Sequence, residues 1–518
     1  MKIERLKNAK RSISAGLLLR IYHMVVPFLM RTAMIHFMGV EYLGLNSLFS
    51  SILHVLNLAE LGVGSAMVFS MYKPIAEDDT ARICGLMKLY RRYYRLIGLV
   101  IGAAGLLLTP FVPQLISGEM PPELNVYWLY LLNLGATVLT YWLFAYRNCL
   151  LQAHQRLDAT SLITIVTSTV QHVLQLLVMI FLKNYYLHVS VLLLTTIVNN
   201  LITALATKRL FPQYKPVGEL QRAEVKKING RIRDLFAGKV GAVVSQYADT
   251  LVISAFMGLT VLAVYQNYYF ILSAILAIIE ICISSVLAGL GNSFVTETKE
   301  KNYADMHKFT FLFLWLTGMC TCCFLGMYQP FMEIWVGREL MLALGVAAAL
   351  AVYFYVYTLN RLLSVYKDAA GLWHQDRFRP LVTSVVNLTL NLLTVRSLGL
   401  YGVVLSTVVS MMFVGIPWQL RNLFTGMFDR RLMRSYVLLL LRMVLALGVA
   451  AALVILCCAQ LQCGLWLKLA LCALISVAVP NLVFLLLLHR SEQFRPAVQF
   501  VDRFTKRRLK LEKRIFRQ

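Results

Sequence analysis

Charge is what this sequence is short of. Only 14% of its 518 residues are Asp, Glu, Lys or Arg, and just 25 are acids, whereas a soluble domain carries about 25% charged residues. With 59% hydrophobic residues and a mean hydropathy of +0.68, a water-soluble globule is excluded and the chain reads as an integral membrane protein. Chemistry-bearing patterns are missing too. There is no activated nucleophile, no acid/base pair and no metal-ligand spacing, so no catalytic residue and no metal site are expected. His23, His36, His54 and His172 stand singly in apolar runs and read as packed or pore-lining side chains. The ten cysteines, including Cys320, Cys322 and Cys323 in one helix and Cys457 with Cys458 in another, lack companions at metal-site spacing and imply no disulfide framework. A secretory signal is also absent, because the first apolar segment is too long and no small-residue cleavage site follows it. That segment is expected to stay as a membrane helix.

What is present is a series of apolar segments of membrane-crossing length, at about 12 to 37, 42 to 72, 95 to 117, 125 to 152, 159 to 182, 187 to 207, 234 to 259, 261 to 290, 309 to 334, 340 to 366, 378 to 396, 400 to 426, 437 to 458 and 464 to 489. The expected fold is an all-α polytopic membrane protein of about fourteen transmembrane helices. Two pseudo-symmetric six-helix bundles, residues 1–207 and 234–426, would flank a basic linker at 208–233. Two further helices at 427–489 and a basic tail at 490–518 complete the chain. The net charge of +25 lies in short clusters between apolar runs and in the tail. This is the pattern of the positive-inside rule, not of a nucleic-acid surface, and it points to anionic lipid as a partner. Placing the N-terminus in the cytoplasm leaves only Lys183, Arg338, Arg396 and Lys468 at or near the outer side. Both termini and the linker are therefore expected inside. Within the linker, Pro212 and Pro216 discourage a helix through the first half, while EVKKINGRIRD is expected to form an amphipathic helix leading into the seventh span.

The chain also repeats itself. MGVEYLGLNSLFSSILHVLNLAE, from Met38 to Glu60, reads against MGLTVLAVYQNYYFILSAILAIIE, from Met257 to Glu280, at an offset of 219 that becomes 220 by the acid. The same register places Arg20 on Lys239. Internal repeats in a membrane chain mark paired bundles that share a binding site. The RT, MG-x-EYLGLN, LAELG-x-GSA and MYKPIAEDD sequences of residues 31–79, with YADTLVISAFMG, YQNYY and GLGNSF in the second half, resemble the polysaccharide exporters of the MOP superfamily, relatives of MATE antiporters and lipid II flippases. The resemblance implies a flippase that moves a lipid-linked oligosaccharide, its sugars on undecaprenyl pyrophosphate, from the inner to the outer leaflet of a bacterial cell membrane, together with other polysaccharide-assembly proteins.

Intramembrane charges supply the candidate site, because each is expensive in a lipid solvent. Arg20 and Lys239 are expected to bind the phosphates of the head group, Arg as a bidentate fork and Lys as a point charge. Arg31 joins them as the family's RT pattern. Glu60, Asp249 and Glu280, near mid-depth, are candidates for coupling transport to H+ or Na+, with buried structural pairing as the competing role. No other cofactor is expected. The alternatives are a MATE-like antiporter of organic cations, served by the three acids, and a membrane polysaccharide polymerase or ligase, which would need a large external loop that this chain lacks.

Overall fold

The computed structural model describes residues 5–60, 62–118 and 120–504. Every regular element among the described residues is helical. The first part of the chain forms α1 (Arg5–Phe37), α2 (Val40–Leu56), α3 (Val63–Ala76), α4 (Thr80–Leu108), α5 (Val126–Trp142), α6 (Asn148–Ala153), α7 (Leu157–Leu177) and α8 (Tyr185–Leu210). The remainder forms α9 (Arg222–Thr296), α10 (Lys299–Val336), α11 (Leu344–Ala369), α12 (Trp373–Asp376), α13 (Arg379–Ser410), α14 (Ile416–Gly426), α15 (Arg430–Ala459), α16 (Leu465–Leu488) and α17 (Phe494–Phe504).

Among the described residues, eleven helical stretches are long and apolar enough to cross a bilayer, and a twelfth is the pair Val126–Trp142 and Ala145–Ala153, bent by 46°. Two of these stretches are interrupted by glycines in the left-handed region, Gly258 (φ 89°) inside α9 and Gly399 (φ 57°) inside α13. Counting one more segment for each interruption gives the fourteen expected.

The repeat read from the sequence is written into the backbone. Gly39 (φ 126°) separates α1 from α2, and Gly258, 219 positions later, interrupts α9 at the corresponding place. Gly118 (φ 84°) and Gly337 (φ 83°) stand at the same offset. An L side chain is disfavoured at such φ values, so the MG sequences at 38–39 and 257–258 are turn signals.

The two copies part company one span later. The apolar run expected to cross as one piece from 42 to 72 is broken: α2 stops at Leu56, Asn57–Glu60 form a 3-10 turn, and Gly62 (φ 91°) precedes α3. In the second copy α9 continues past Glu280 to Thr296. The local sequences explain this, since ELGVGSA puts two glycines just beyond Glu60 where EICISSV has none. Each glycine costs a helix about 1 kcal/mol relative to alanine, and Gly62 supplies the left-handed residue that the break needs.

The chain divides into two compact units, Met1–Ala263 and Val264–Gln518. In the first, α1 packs along α7, and α5 packs against α4 and α8. The front of α9 belongs here. A Cβ on Gly44 of α2 would stand 2.2 Å from the Leu259 carbonyl oxygen, and Ser254 Oγ donates to the Leu115 carbonyl at 2.6 Å. The 208–233 connection is strapped along α4. Arg82 pairs with Glu224 (2.6 Å), Lys88 with Glu219 (3.2 Å), the Tyr93 hydroxyl donates to Asn229 (2.5 Å), and Arg231 lies over the Phe69 ring. As expected, EVKKINGRIRD is helical, forming the first turns of α9. In the second unit α10 packs against α11, α15 and α16, the last seated close enough that a Cβ on Gly326 would meet Ser476. The tail begins as α17, whose Phe494 and Phe500 lie on Trp315 and Phe309 of α10.

Candidate functional site

Glu60 sits in the 3-10 turn between α2 and α3, and two tyrosine hydroxyls hold its carboxylate. Tyr94 of α4 donates to Oε1 and Tyr141 of α5 to Oε2, each at 2.7 Å. Tyr90, one turn before Tyr94, donates to the Tyr94 hydroxyl at 2.6 Å. The Tyr141 hydroxyl also stands 3.2 Å from Asn57 Oδ1. All three rings are buried, and Gly64 of α3 lets the chain pass close beside Tyr90. A hydroxyl-to-carboxylate hydrogen bond contributes about 1.5 to 3 kcal/mol net, so two of them go far towards offsetting the cost of a charge at membrane depth. Among the described residues no Lys, Arg or His pairs with Glu60. The α4 pair was legible in outline as Tyr90 and Tyr94 four apart, but Tyr141 lies eighty-one residues from the acid it holds.

Glu280, the repeat counterpart, is held differently. Arg361 of α11 grips both of its oxygens, with Nε at 2.9 Å from Oε2 and Nη2 on Oε1. Both side chains are 38% exposed. The bidentate geometry makes this a strong pair, and it compensates the acid's charge in full. Sequence reasoning missed Arg361, although a lone Arg within AVYFYVYTLNRLLSVY carries the same signal as a lone acid in an apolar run.

Asp249 is buried on α9, in the first unit. Arg20 is exposed and Arg31 half-buried, both on α1. Eleven residues apart, they are about three helical turns and ~16 Å distant along one face of the helix. The Lys239 side chain lies outside the described residues, so the expected pairing of Arg20 with Lys239 is placed by register alone, on α1 and α9 of the same unit. All four single histidines have aromatic company, His23 and His36 from their chain neighbours Tyr22 and Phe37 and the other two from distant helices. Tyr22 Oη meets His172 Nδ1 at 2.9 Å, joining α1 to α7, and His54 stacks on Tyr247 with ring centroids 4.8 Å apart.

No family model matches the chain, and no curated relative is detected from its sequence. Solved structures do match. A lipid II flippase MurJ in an inward closed conformation superposes with a TM-score of 0.68 at 13% identity, over 92% of this chain and 98% of that one. An inward-facing multidrug-resistance MATE transporter gives 0.59 at 16% identity, over 78% of this chain and 97% of its own. A MOP-superfamily transporter from Pyrococcus furiosus gives 0.52 at 14% identity, over 82% and 97%. With fourteen apolar segments, a repeat marked by matched glycine turns and these superpositions, the chain has the fold shared by this flippase and these transporters of the MOP superfamily.

Proposed function

We propose that this protein is a transporter, not an enzyme, and that it flips a lipid-linked oligosaccharide, with an undecaprenyl pyrophosphate carrier, from the inner to the outer leaflet of a bacterial cell membrane. The observation that carries this reading is the shared face of Arg20 and Arg31 on α1. Two guanidinium groups spaced along one helix face suit a polyanionic head group, and Lys239, in register with Arg20, would add a third cation. The extent of the superpositions supports it as well. The flippase matches 92% of this chain, whereas the MATE transporter leaves more than a fifth of it without a counterpart. In this reading the glycan lipid is the partner, the basic clusters and tail rest on anionic lipid with both termini in the cytoplasm, and H+ or Na+ moves through Glu60, Asp249 or Glu280.

A MATE-like antiporter of organic cations is the second reading, favoured by one specific observation: Glu60 has hydroxyl partners and no cationic one among the described residues. Native mass spectrometry of lipids that co-purify with the protein separates the two. A bound prenyl-pyrophosphate sugar, lost on Arg20→Ala, is the expected result. A preparation without such a lipid that takes up organic cations against a pH gradient would establish the antiporter instead.

A further inference from the structure

The two repeat-related acids look equivalent in sequence and are not equivalent in structure. Each sits at the end of the same aligned segment, yet one is gripped by a guanidinium and the other by hydroxyls. Neutralising Glu280 with a proton would break a bidentate ion pair and leave Arg361 with an uncompensated charge at membrane depth. Among the described residues, neutralising Glu60 breaks no ion pair.

The hydroxyl cage also has somewhere to turn. When Glu60 is ionised, Tyr94 and Tyr141 both donate to it, one to each oxygen. When a proton arrives on Oε2, that oxygen becomes a donor, and the group opposite must become an acceptor. The Tyr141 hydroxyl has a second acceptor in reach, Asn57 Oδ1 at 3.2 Å. Turning its O–H from Glu60 to Asn57 frees a lone pair on Tyr141 Oη to accept from the protonated acid. Tyr94 keeps its orientation, because Tyr90 donates to its oxygen from behind and leaves its own O–H aimed at Oε1. Both protonation states are then fully hydrogen-bonded, and the proton is exchanged with water while no other covalent bond changes.

From this geometry we infer that Glu60 alone of the two repeat-related acids binds the coupling proton, with Tyr141 and Asn57 as the positioning residues that let it be held in either state. The inference rests on the transport reading and deepens it, by naming the proton and the residue that takes it. Among the described residues, the other titratable groups facing the site are Tyr90 and Tyr94 on α4 and Tyr141 on α5, with Cys149 of α6 beside Tyr90. From α3, Gly64 approaches Glu60 Oε1 and the Tyr90 and Tyr94 hydroxyls. His54, on α2, is turned to Tyr247.

The test is a pH titration of the protonated-carboxyl infrared band of the purified full chain in liposomes. Wild type and Glu280→Gln are expected to share a titrating band that Glu60→Gln lacks. Tyr141→Phe removes a donor to the ionised form, so its midpoint is expected to rise by about one pH unit, which is a tenfold change in proton affinity. Asn57→Leu removes the alternative acceptor needed by the protonated form, so its midpoint is expected to fall by a similar amount. A band that persists in Glu60→Gln, or midpoints that move the same way in Tyr141→Phe and Asn57→Leu, would overturn the inference. Tyr94→Phe, expected to raise the midpoint like Tyr141→Phe, repeats the test should Tyr141→Phe not fold. No lipid-linked sugar enters the measurement, so loss of the flippase reading would show in the lipid analysis and not here.

Discussion

Arg20 and Arg31 are single side chains whose roles separate experimentally, because head-group binding and anchoring to the lipid surface have different signatures. An exposed arginine that only snorkels contributes the same with or without substrate. One that clamps a phosphate contributes about 1.5 to 3 kcal/mol to binding, roughly ten-fold or more in affinity. Binding of a purified lipid-linked sugar to Arg20→Ala is therefore expected to weaken by that factor, and Arg20→Lys to be partly defective, since the charge survives but the planar fork does not. Lys239→Ala combined with Arg20→Ala completes a cycle in which coupling indicates one shared site. Wild-type affinity in the double variant would leave both as anchors. The Glu280–Arg361 pair gives a stability prediction instead. Arg361→Met, which leaves the acid unpaired, is expected to lower the unfolding temperature more than Arg361→Met combined with Glu280→Gln, because the second change removes the orphaned charge. Equal loss in the two variants would show that the unpaired carboxylate carries no penalty of its own.

Among the helices, two glycines in the first unit predict opposite outcomes. Gly44 of α2 faces the turn after Gly258, where an added Cβ would stand 2.2 Å from backbone. Gly135 of α5 has nothing within 4 Å. Gly44→Ala must push α2 off α9, at a cost of about 1 to 3 kcal/mol or more, whereas Gly135→Ala should stabilise by up to about 1 kcal/mol through helix propensity. Thermal unfolding of the two variants in one detergent checks the sign of each. The linker yields a pH dependence. His154 follows α6, packed under Phe211 at a centroid distance of 4.3 Å and beside Tyr214, and burial holds its pKa below the ordinary 6.5. The neutral ring is the one that fits. The stabilisation is therefore complete above about 6.5 and lost as pH falls through the lowered folded value. Protease cleavage of the 208–221 segment is expected to speed up on acidification in wild type, and His154→Phe should flatten that dependence.

For the molecule as a whole, the proposed orientation follows from the Lys and Arg asymmetry and is open to a direct test with substituted cysteines. Gly118 and Gly218 would be natural labelling positions in the two opposed connections, but both carry positive φ (84° and 86°), where a side chain adds strain. Glu123 and Val217, both exposed, avoid this. In a background with the native thiols replaced, Glu123→Cys is expected to react with an impermeant thiol reagent outside intact cells and Val217→Cys to resist it. The opposite pattern would invert the topology.

Fold class, number of segments and repeat were legible because a bilayer forces each crossing to satisfy its own backbone, so apolar length and turn glycines such as Gly39, Gly118, Gly258 and Gly337 report structure locally. That Glu60 and Glu280 need polar partners was legible for the same reason, as charge where charge is costly. What the sequence did not determine is what each acid touches. Arg361 and Tyr141 lie eighty-one positions from Glu280 and Glu60, on α11 and α5, and which helix faces meet is set by packing among many segments of nearly uniform apolarity. The tertiary structure alone made one acid an ion pair and the other a hydroxyl-caged carboxylate, because only packing brings a distant guanidinium or phenol to within 3 Å of it.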